Sequence, residues 1–189
     1  MKNSKLVLIA ISFVSFSSCG EGPLEPGESN LLPSEKYHYT DQQLADLNYH
    51  ESVYVPVYSD IYHLNGERRF LLTITLSVRN VRMDESVYIS HVDYYDSQGE
   101  MIRKYLEKPI ELKPLQSAEF VVEHDESEGG AGANFIVGWS SDSKINPPVI
   151  QAVMIGTSSQ QGISFVTNGV PLEKKTESDV FSVEIDSVQ

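Results

Sequence analysis

Residues 70–78 read FLLTITLSV, and this stretch decides the fold class. Every second residue from Phe70 to Val78 is large and apolar, the period that places alternate side chains on opposite faces of a β-strand. The residues between them include two threonines and a serine, which suit the exposed face of a half-buried strand. The stretch therefore predicts a strand with one face in a hydrophobic core.

Six further stretches alternate in a similar way. They are residues 53–58, 87–95, 118–122, 135–139, 149–155 and 162–166. Turn-forming sequences separate them, among them Asn65-Gly66, DSQG at 96–99 and EGGAGA at 128–133. Only residues 40–47 (TDQQLADL) are typical of a helix, with Thr40 as its N-cap. Many short strands spaced by turns predict an all-β, antiparallel, immunoglobulin-like β-sandwich of about seven to nine strands.

The N-terminal residues differ from the rest of the chain in composition. Two lysines precede the apolar run LVLIAISFVSF at 6–16, which is shorter than the ~20 residues of a membrane-spanning helix but suits a signal peptide. The sequence FSSCG at 16–20 resembles the lipobox of bacterial lipoproteins, in which small residues precede a cysteine that becomes acylated. We therefore predict a lipoprotein signal peptide over 1–18 and lipid attachment at Cys19, with an ordinary secretory signal as the alternative.

Cys19 is the only cysteine, so no disulfide can form within the chain.

The sequence after the signal peptide divides into three parts. Residues 19–34, which are rich in Gly, Pro, Glu and Ser, predict a flexible tether that begins at the lipidated cysteine. Residues 35–167 are long enough for one hydrophobic core and form the predicted sandwich domain. Residues 168–189 predict a polar C-terminal tail, in which DVFSVEID suits either a strand or a disordered segment.

The chain is acidic, with 27 acidic and 14 basic residues and a formal charge of −13 at pH 7. Such a field repels polyanions, so the composition argues against nucleic acid as a partner. The predicted partner is a lipid bilayer, reached through acylated Cys19, with an envelope protein or a glycan as a further ligand. The predicted location is the bacterial cell envelope, on the outer or inner membrane, facing the periplasm or the cell surface.

Five stretches together span nearly the whole predicted domain. They are VYVPVYSDIYH (53–63), TITLSVRN (73–80), VDYYDSQGEMIRKYL (92–106), GANFIVGW (132–139) and NPPVIQAVMIGTSSQQGISF (146–165). Their combination resembles an uncharacterised bacterial family catalogued as domain of unknown function 3124. The resemblance implies a small, often lipidated or secreted envelope domain, and it brings no activity or catalytic residues.

No residue spacing in the sequence predicts a catalytic or metal site. The GxSxG motif of hydrolases is missing, the five histidines occur singly, and the acidic runs at 96–100 and 125–128 do not fit a calcium-binding loop. We therefore predict no catalytic residue, no metal ligand and no cofactor. The glycine-rich run at 128–133 is interpreted as a flexible connection that uses positive φ angles, not as a phosphate-binding loop.

The predicted function is a noncatalytic binding or interaction module of unknown ligand in a membrane-anchored envelope lipoprotein. Ten tyrosines and one tryptophan motivate carbohydrate binding as an alternative, although Trp139 itself is assigned to the core. An enzyme is the third hypothesis, because a site assembled from distant residues leaves no linear motif.

A candidate partner surface lies in residues 53–62. The alternation directs the three valines toward the core and places Tyr54, Tyr58 and Tyr62 on the other side, if the strand continues that far. Pro56 cannot donate a ladder hydrogen bond, which predicts a sheet edge beside these tyrosines. Exposed tyrosines suit a binding surface. The alternative is that the rings pack under residues 37–49 and cover the edge.

Overall fold

The computed structural model describes residues 37–143, 146–158 and 161–172. These residues contain twelve strands and two three-residue 3₁₀ turns, Leu44–Asp46 and Gly130–Gly132, but no α-helix. The strands are β1 (Tyr49–Pro56), β2 (Asp60–His63), β3 (Asn65–Leu71), β4 (Thr73–Arg79), β5 (Val87–Tyr95), β6 (Met101–Lys104), β7 (Ile110–Leu112), β8 (Ser117–Val122), β9 (Asn134–Ser141), β10 (Val149–Ser158), β11 (Gln161–Asn168) and β12 (Val170–Pro171). The predicted all-β class is confirmed.

The strands form two main sheets and a small ribbon, and every strand pair is antiparallel. The first sheet has the order β12-β1-β9-β5-β6, with β7 also paired to β5. The second sheet has the order β11-β10-β4-β8. Strands β2 and β3 pair only with each other, and we call them the ribbon.

The predicted strands lie close to the observed ones, and residues 87–95 coincide with β5. The stretch 70–78 is divided between two strands, because Leu72 separates β3, which pairs with β2, from β4, which belongs to the second sheet. The Leu72 side chain is buried. The expected number of seven to nine strands is too low. Short strands such as β2, β7 and β12 have two to four residues, too few for a clear alternation.

The helix predicted at residues 40–47 is wrong. Tyr39 forms a bridge with Ile110, and the Thr40 N–H donates to the Pro109 carbonyl at 3.0 Å. These contacts hold the chain extended beside β7, so only the 3₁₀ turn Leu44–Asp46 forms. The Thr40 hydroxyl accepts from the Gln42 N–H at 3.1 Å, within this extended segment and outside any α-helix.

One hydrophobic core connects the inner faces of the two main sheets. Its buried members include Val55, Val92, Phe135 and Val137 from the first sheet and Ile74, Leu76, Phe120 and Met154 from the second. Trp139 is 1% exposed, which confirms its predicted place in the core. Its ring lies 4.9 Å from that of Tyr49, and its indole N–H donates to Glu51 Oε2 at 3.1 Å.

The predicted terminal segments lie largely outside the described residues. The signal peptide, Cys19 and the tether are among residues 1–36 and stay predictions. At the other end, β12 pairs with β1, so the sheets extend four residues beyond the boundary expected at Thr167. The rest of the predicted tail, 173–189, also lies outside the described part. Within the described ranges, no helix is long and apolar enough to cross a bilayer.

Candidate binding pockets

A pocket of about 500 Å³ opens between the ribbon, the turn from β5 to β6, and the glycine-rich loop before β9. We call it the hairpin pocket. Its lining residues are Asp60, Tyr62, Arg69, Leu71, Ser97, Gln98, Ser127, Glu128, Gly129, Gly130 and Ala131. This volume lies within the range of small-molecule sites, which is roughly 300–1,000 Å³.

The ribbon contributes an ion pair and an aromatic ring to the hairpin pocket. Asp60 is only 4% exposed, and its carboxylate accepts a hydrogen bond from the Arg69 guanidinium, which raises the pKa of Arg69. The same guanidinium lies 4.5 Å from the centre of the Tyr62 ring and donates to its hydroxyl at 3.3 Å. Tyr62 lies opposite Arg69 in the β2–β3 register, so the sheet pairing itself brings the two side chains together.

The ribbon reverses at Leu64, one residue before the turn expected at Asn65-Gly66. Leu64 has a φ of 65°, and the Asn65 side-chain oxygen accepts from the N–H groups of Glu67 and Arg68 at 3.1 Å each. An asparagine oxygen that bonds the backbone two and three residues later stabilises such a reversal. The Leu64 side chain at this tip is exposed.

Ser97 holds one side of the glycine-rich loop. Its hydroxyl donates to the Gly129 carbonyl and accepts from the Gly132 N–H, both at 2.9 Å. From the other side, the Gly130 N–H donates to the hydroxyl of buried Ser59 at 2.7 Å. Gly130 has a φ of 74°, which confirms the positive φ expected here. The sequence predicted a flexible connection, whereas these bonds give the pocket a defined wall.

Tyr94 supports this wall from behind. It is 1% exposed, its ring lies 4.9 Å from that of Phe135, and burial raises its pKa to about 12. A Cβ atom at Gly129 would lie 2.0 Å from the Tyr94 hydroxyl oxygen. The loop can therefore approach Tyr94 this closely only with glycine at position 129.

A smaller depression of about 240 Å³ lies on the first sheet and includes Ser140 and His50. The Ser140 hydroxyl oxygen lies 2.8 Å from His50 Nδ1, and His50 Nε2 lies 2.9 Å from the Leu47 carbonyl. A carbonyl only accepts, so Nε2 carries a proton and the Nδ1 of a neutral ring accepts from Ser140. Such a series can activate a hydroxyl in hydrolases. Here Ser140 is only 2% exposed, so the geometry supports a structural link between Leu47 and β9.

The structure does not bring the three candidate tyrosines onto one strand face. Tyr54 lies on β1, whereas Tyr58 follows that strand and its ring lies 5.6 Å from Phe165. Tyr62 lies on β2, is 56% exposed, and is the only one of the three in the hairpin pocket. They are separated because β1 ends at Pro56 and a new strand begins at Asp60.

The sheet edge predicted from Pro56 is found only at the end of β1, because β12 forms the edge of the sheet beside Val53 and Tyr54. This strand pairs with β9 along its length, but with β12 only at Val53 and Tyr54. The Val57 N–H donates to the Ala133 carbonyl, so by alternation the backbone of Pro56 faces away from β9. The three valines of this segment are buried, as predicted.

Within the described ranges, no group of three or more His, Cys, Asp or Glu side chains is placed to hold a metal ion. The groups that converge in the hairpin pocket are instead a compensated ion pair, a tyrosine ring, serine hydroxyls, a glutamine amide and the backbone of the glycine-rich loop. This set can hydrogen-bond and stack against a ligand.

These features define a small antiparallel β domain with a polar pocket at one end of the ribbon. The chain belongs to the family described as proteins of unknown function, DUF3124, whose profile matches residues 50–172. This confirms the family resemblance found in the sequence. A comparison with curated proteins gave no match. A crystal structure described as Thermotoga maritima 1070 is similar at 16% identity, over 66% of this chain and 96% of that one, with a TM-score of 0.37.

Proposed function

We propose that this chain is an exported bacterial envelope lipoprotein, anchored through acylated Cys19, whose β domain is a noncatalytic binding module. The basic leader, apolar run and FSSCG sequence support the anchor. The hairpin pocket is the observation that carries the binding role. Three separate segments converge there, and sheet pairing or hydrogen bonds hold each of them, so the polar groups are preorganised for a ligand.

The proposed relation to immunoglobulin domains concerns the four central strands. In an immunoglobulin sandwich, strands B and E pair in one sheet while C and F pair in the other. Here β4 pairs with β8, and β5 pairs with β9 in the opposite sheet, in the same chain order. The next strand, β10, pairs with β4 instead of β9. We therefore limit the proposed likeness to those four strands.

The anchor is tested by Cys19→Ala in the native host. Each buried CH₂ of an acyl chain contributes ~0.8 kcal/mol, so two or three chains hold a protein stably at a membrane. We expect the variant to incorporate no palmitate analogue and to leave the membrane fraction or accumulate unprocessed. Equal labelling of the variant and the parent chain would contradict lipid attachment at Cys19.

The binding role is tested with a photoreactive residue at Gln98, which lines the hairpin pocket and is exposed. The matched control carries the same group at Gln42, which is exposed outside the pocket. After irradiation in the native host, mass spectrometry should find a discrete adduct at position 98 that is weakened by Tyr62→Ala. The absence of such an adduct, or an identical one at position 42, would contradict ligand binding in this pocket.

Carbohydrate is the second candidate ligand class, favoured by the exposed ring of Tyr62 beside the compensated pair Asp60–Arg69. A sugar ring can stack on tyrosine while its hydroxyls bond to carboxylate, guanidinium and amide groups. A glycan array probed with the Cys19→Ala chain tests this class. Signals lost with Tyr62→Ala but kept with Tyr54→Ala would support it, and a blank array would count against it.

A further inference from the structure

The two edge strands of the second sheet differ in how their free backbone groups are used. On β8, the Asn80 N–H donates to the Gln116 carbonyl, so by alternation the carbonyls of Glu119 and Val121 point away from β4. The hydroxyl of Tyr37 donates to Glu119 O and that of Tyr105 donates to Val121 O, both at 2.8 Å. This edge is covered by side chains.

The opposite edge, β11, is open within the described residues. The Gly169 N–H donates to the Ile150 carbonyl at 2.8 Å, which fixes the alternation of the β10–β11 ladder. The backbone groups of residues 162, 164, 166 and 168 therefore point away from β10. All four residues are exposed, and no described residue hydrogen-bonds to these backbone groups.

Strand β11 also lacks the charged residues, the proline and the bulge that protect many sheet edges. Its sequence QGISFVTN has no charged residue and no proline, and its eight pairs with β10 are in unbroken register. A groove of about 450 Å³ separates Gly162 and Ile163 from the ribbon, so the ribbon does not close this end of the edge. An unprotected edge of this length is a template for another strand.

We propose that β11 pairs with β11 of a second copy of this chain, antiparallel about a twofold axis at Ser164. The outward backbone groups belong to even-numbered residues, so the hydrogen-bonded register places Ser164 opposite its own copy and Gly162 opposite Val166. This pairing is self-complementary, as a twofold interface requires, and it sets the smallest residue against a branched one. It joins two four-stranded sheets into one of eight strands.

The net charge of the chain affects how strongly two copies should associate. Each copy has a formal charge of −13, so two copies repel at long range, whereas the paired strands themselves are uncharged. Salt screens the repulsion between distant charges but has little effect on backbone hydrogen bonds and apolar contacts. Dimerisation should therefore become stronger as salt is added.

A disulfide test uses the full chain with Cys19→Ala, so that an introduced thiol is the only one. Hydrogen-bonded antiparallel partners have Cα atoms ~5.5 Å apart, within the range that a disulfide spans. Ser164→Cys should form a covalent dimer under mild oxidation. The matched control is Ser117→Cys, the same exposed substitution on the covered edge β8, and it should stay monomeric. A monomeric Ser164→Cys chain, or equal crosslinking at both positions, would overturn the proposal.

Sedimentation provides a second measurement without crosslinking. The parent Cys19→Ala chain should sediment as a dimer whose dissociation constant falls with added salt. Ser164→Lys places like charges directly opposite each other and should give monomers, whereas Ser117→Lys should not. A parent chain that is monomeric at all salt concentrations would overturn the proposal. A dimer that appears only after removal of residues 173–189 would also overturn it for the full chain, because that segment would then be covering the edge.

Discussion

The contact between Gly129 and Tyr94 shows how one residue fixes the wall of the hairpin pocket. A methyl group at position 129 would lie 2.0 Å from the Tyr94 hydroxyl oxygen and 2.9 Å from the Ala133 side chain. Tyr94 is buried in the core and has little room to move. We expect Gly129→Ala to lower the free energy of unfolding by about 1–3 kcal/mol through overpacking, measured by urea denaturation.

Two further variants make this prediction specific. Tyr94→Phe removes the oxygen that would clash, so it should recover part of the loss in the Gly129→Ala background. Gly66→Ala is the matched control, because nothing lies within 4 Å of a Cβ there, and its effect should stay within ~0.5 kcal/mol. An unchanged stability in Gly129→Ala would mean that the loop does not pack against Tyr94 in this way.

Tyr94 also predicts how stability depends on alkaline pH. Burial raises its pKa in the folded chain to about 12, above the ordinary value of 10.0. The contribution of Tyr94 to the free energy of unfolding is therefore complete below pH 10. Between pH 10 and pH 12 the unfolded state releases the tyrosine proton while the folded state keeps it, so this contribution is lost as the pH rises. Each buried tyrosine of this kind adds up to ~1.4 kcal/mol per pH unit to the slope.

Tyr94→Phe should flatten this alkaline decrease without abolishing it, because the pKa of Tyr37 is also raised to about 12, first by burial. The measurement is urea denaturation at several pH values, combined with spectrophotometric titration of the tyrosines. Parallel slopes for the parent chain and the variant would show that Tyr94 ionises normally in the folded state.

At the scale of elements, the strands were predictable wherever burial imposes a period of two. Residues 87–95 alternate between buried and half-buried side chains over most of their length, and they match β5 to the residue. The segment 40–47 shows the limit of local sequence. Its residues favour a helix, but the Thr40 N–H donates to the Pro109 carbonyl and the Glu111 N–H donates to the His38 carbonyl, and these bonds hold the start of the segment extended beside β7. A contact with residues some 70 positions away in the sequence is not visible in eight residues.

The ribbon gives a prediction at this scale. Arg69 compensates the carboxylate of Asp60, which is 4% exposed, whereas its neighbour Arg68 forms no ion pair among the described residues and is exposed. Arg69→Met would leave a buried charge unpaired, at a cost of about 1–3 kcal/mol. Arg68→Met is the matched control and should change stability by less than ~0.5 kcal/mol.

The double variant Asp60→Asn with Arg69→Met separates pairing from packing. Removing both charges should cost less than removing Arg69 alone, because no unpaired buried carboxylate remains. The comparison is made by urea denaturation of the parent chain, the two single arginine variants and the double variant. Equal losses for Arg69→Met and Arg68→Met would contradict a stabilising role for the pair.

At the scale of the whole domain, the hairpin pocket could not be read from the sequence because its parts are distant along the chain. Ser97 follows Asp60 by 37 residues and Gly130 follows Ser97 by 33, and only the packing of the ribbon, turn and loop brings the three residues together. The prediction that Tyr54, Tyr58 and Tyr62 share one strand face assumed a continuous alternation over residues 53–62. The end of β1 at Pro56 interrupts that alternation. A hairpin register that pairs Tyr62 with Arg69 was the one available signal, because a two-residue turn at Asn65-Gly66 places these two residues opposite each other. The register shift between Tyr62 and His63 keeps this pairing although the chain reverses at Leu64.

The C-terminal boundary gives the last prediction. Beyond Thr167, the Gly169 N–H bonds to Ile150 O, the Leu172 N–H bonds to Ser52 O, and β12 pairs beside buried Val53. A chain of residues 35–172 should therefore fold as a β protein, with a circular dichroism spectrum dominated by sheet and unaffected by reductant. A chain of residues 35–167 loses these two backbone hydrogen bonds, of ~1 kcal/mol each, together with the pairing of β12 with β1, and it exposes apolar surface on β1. We expect it to unfold at lower urea concentration. Equal stability would place the domain boundary at Thr167, whereas a mainly helical spectrum from either chain would contradict the fold.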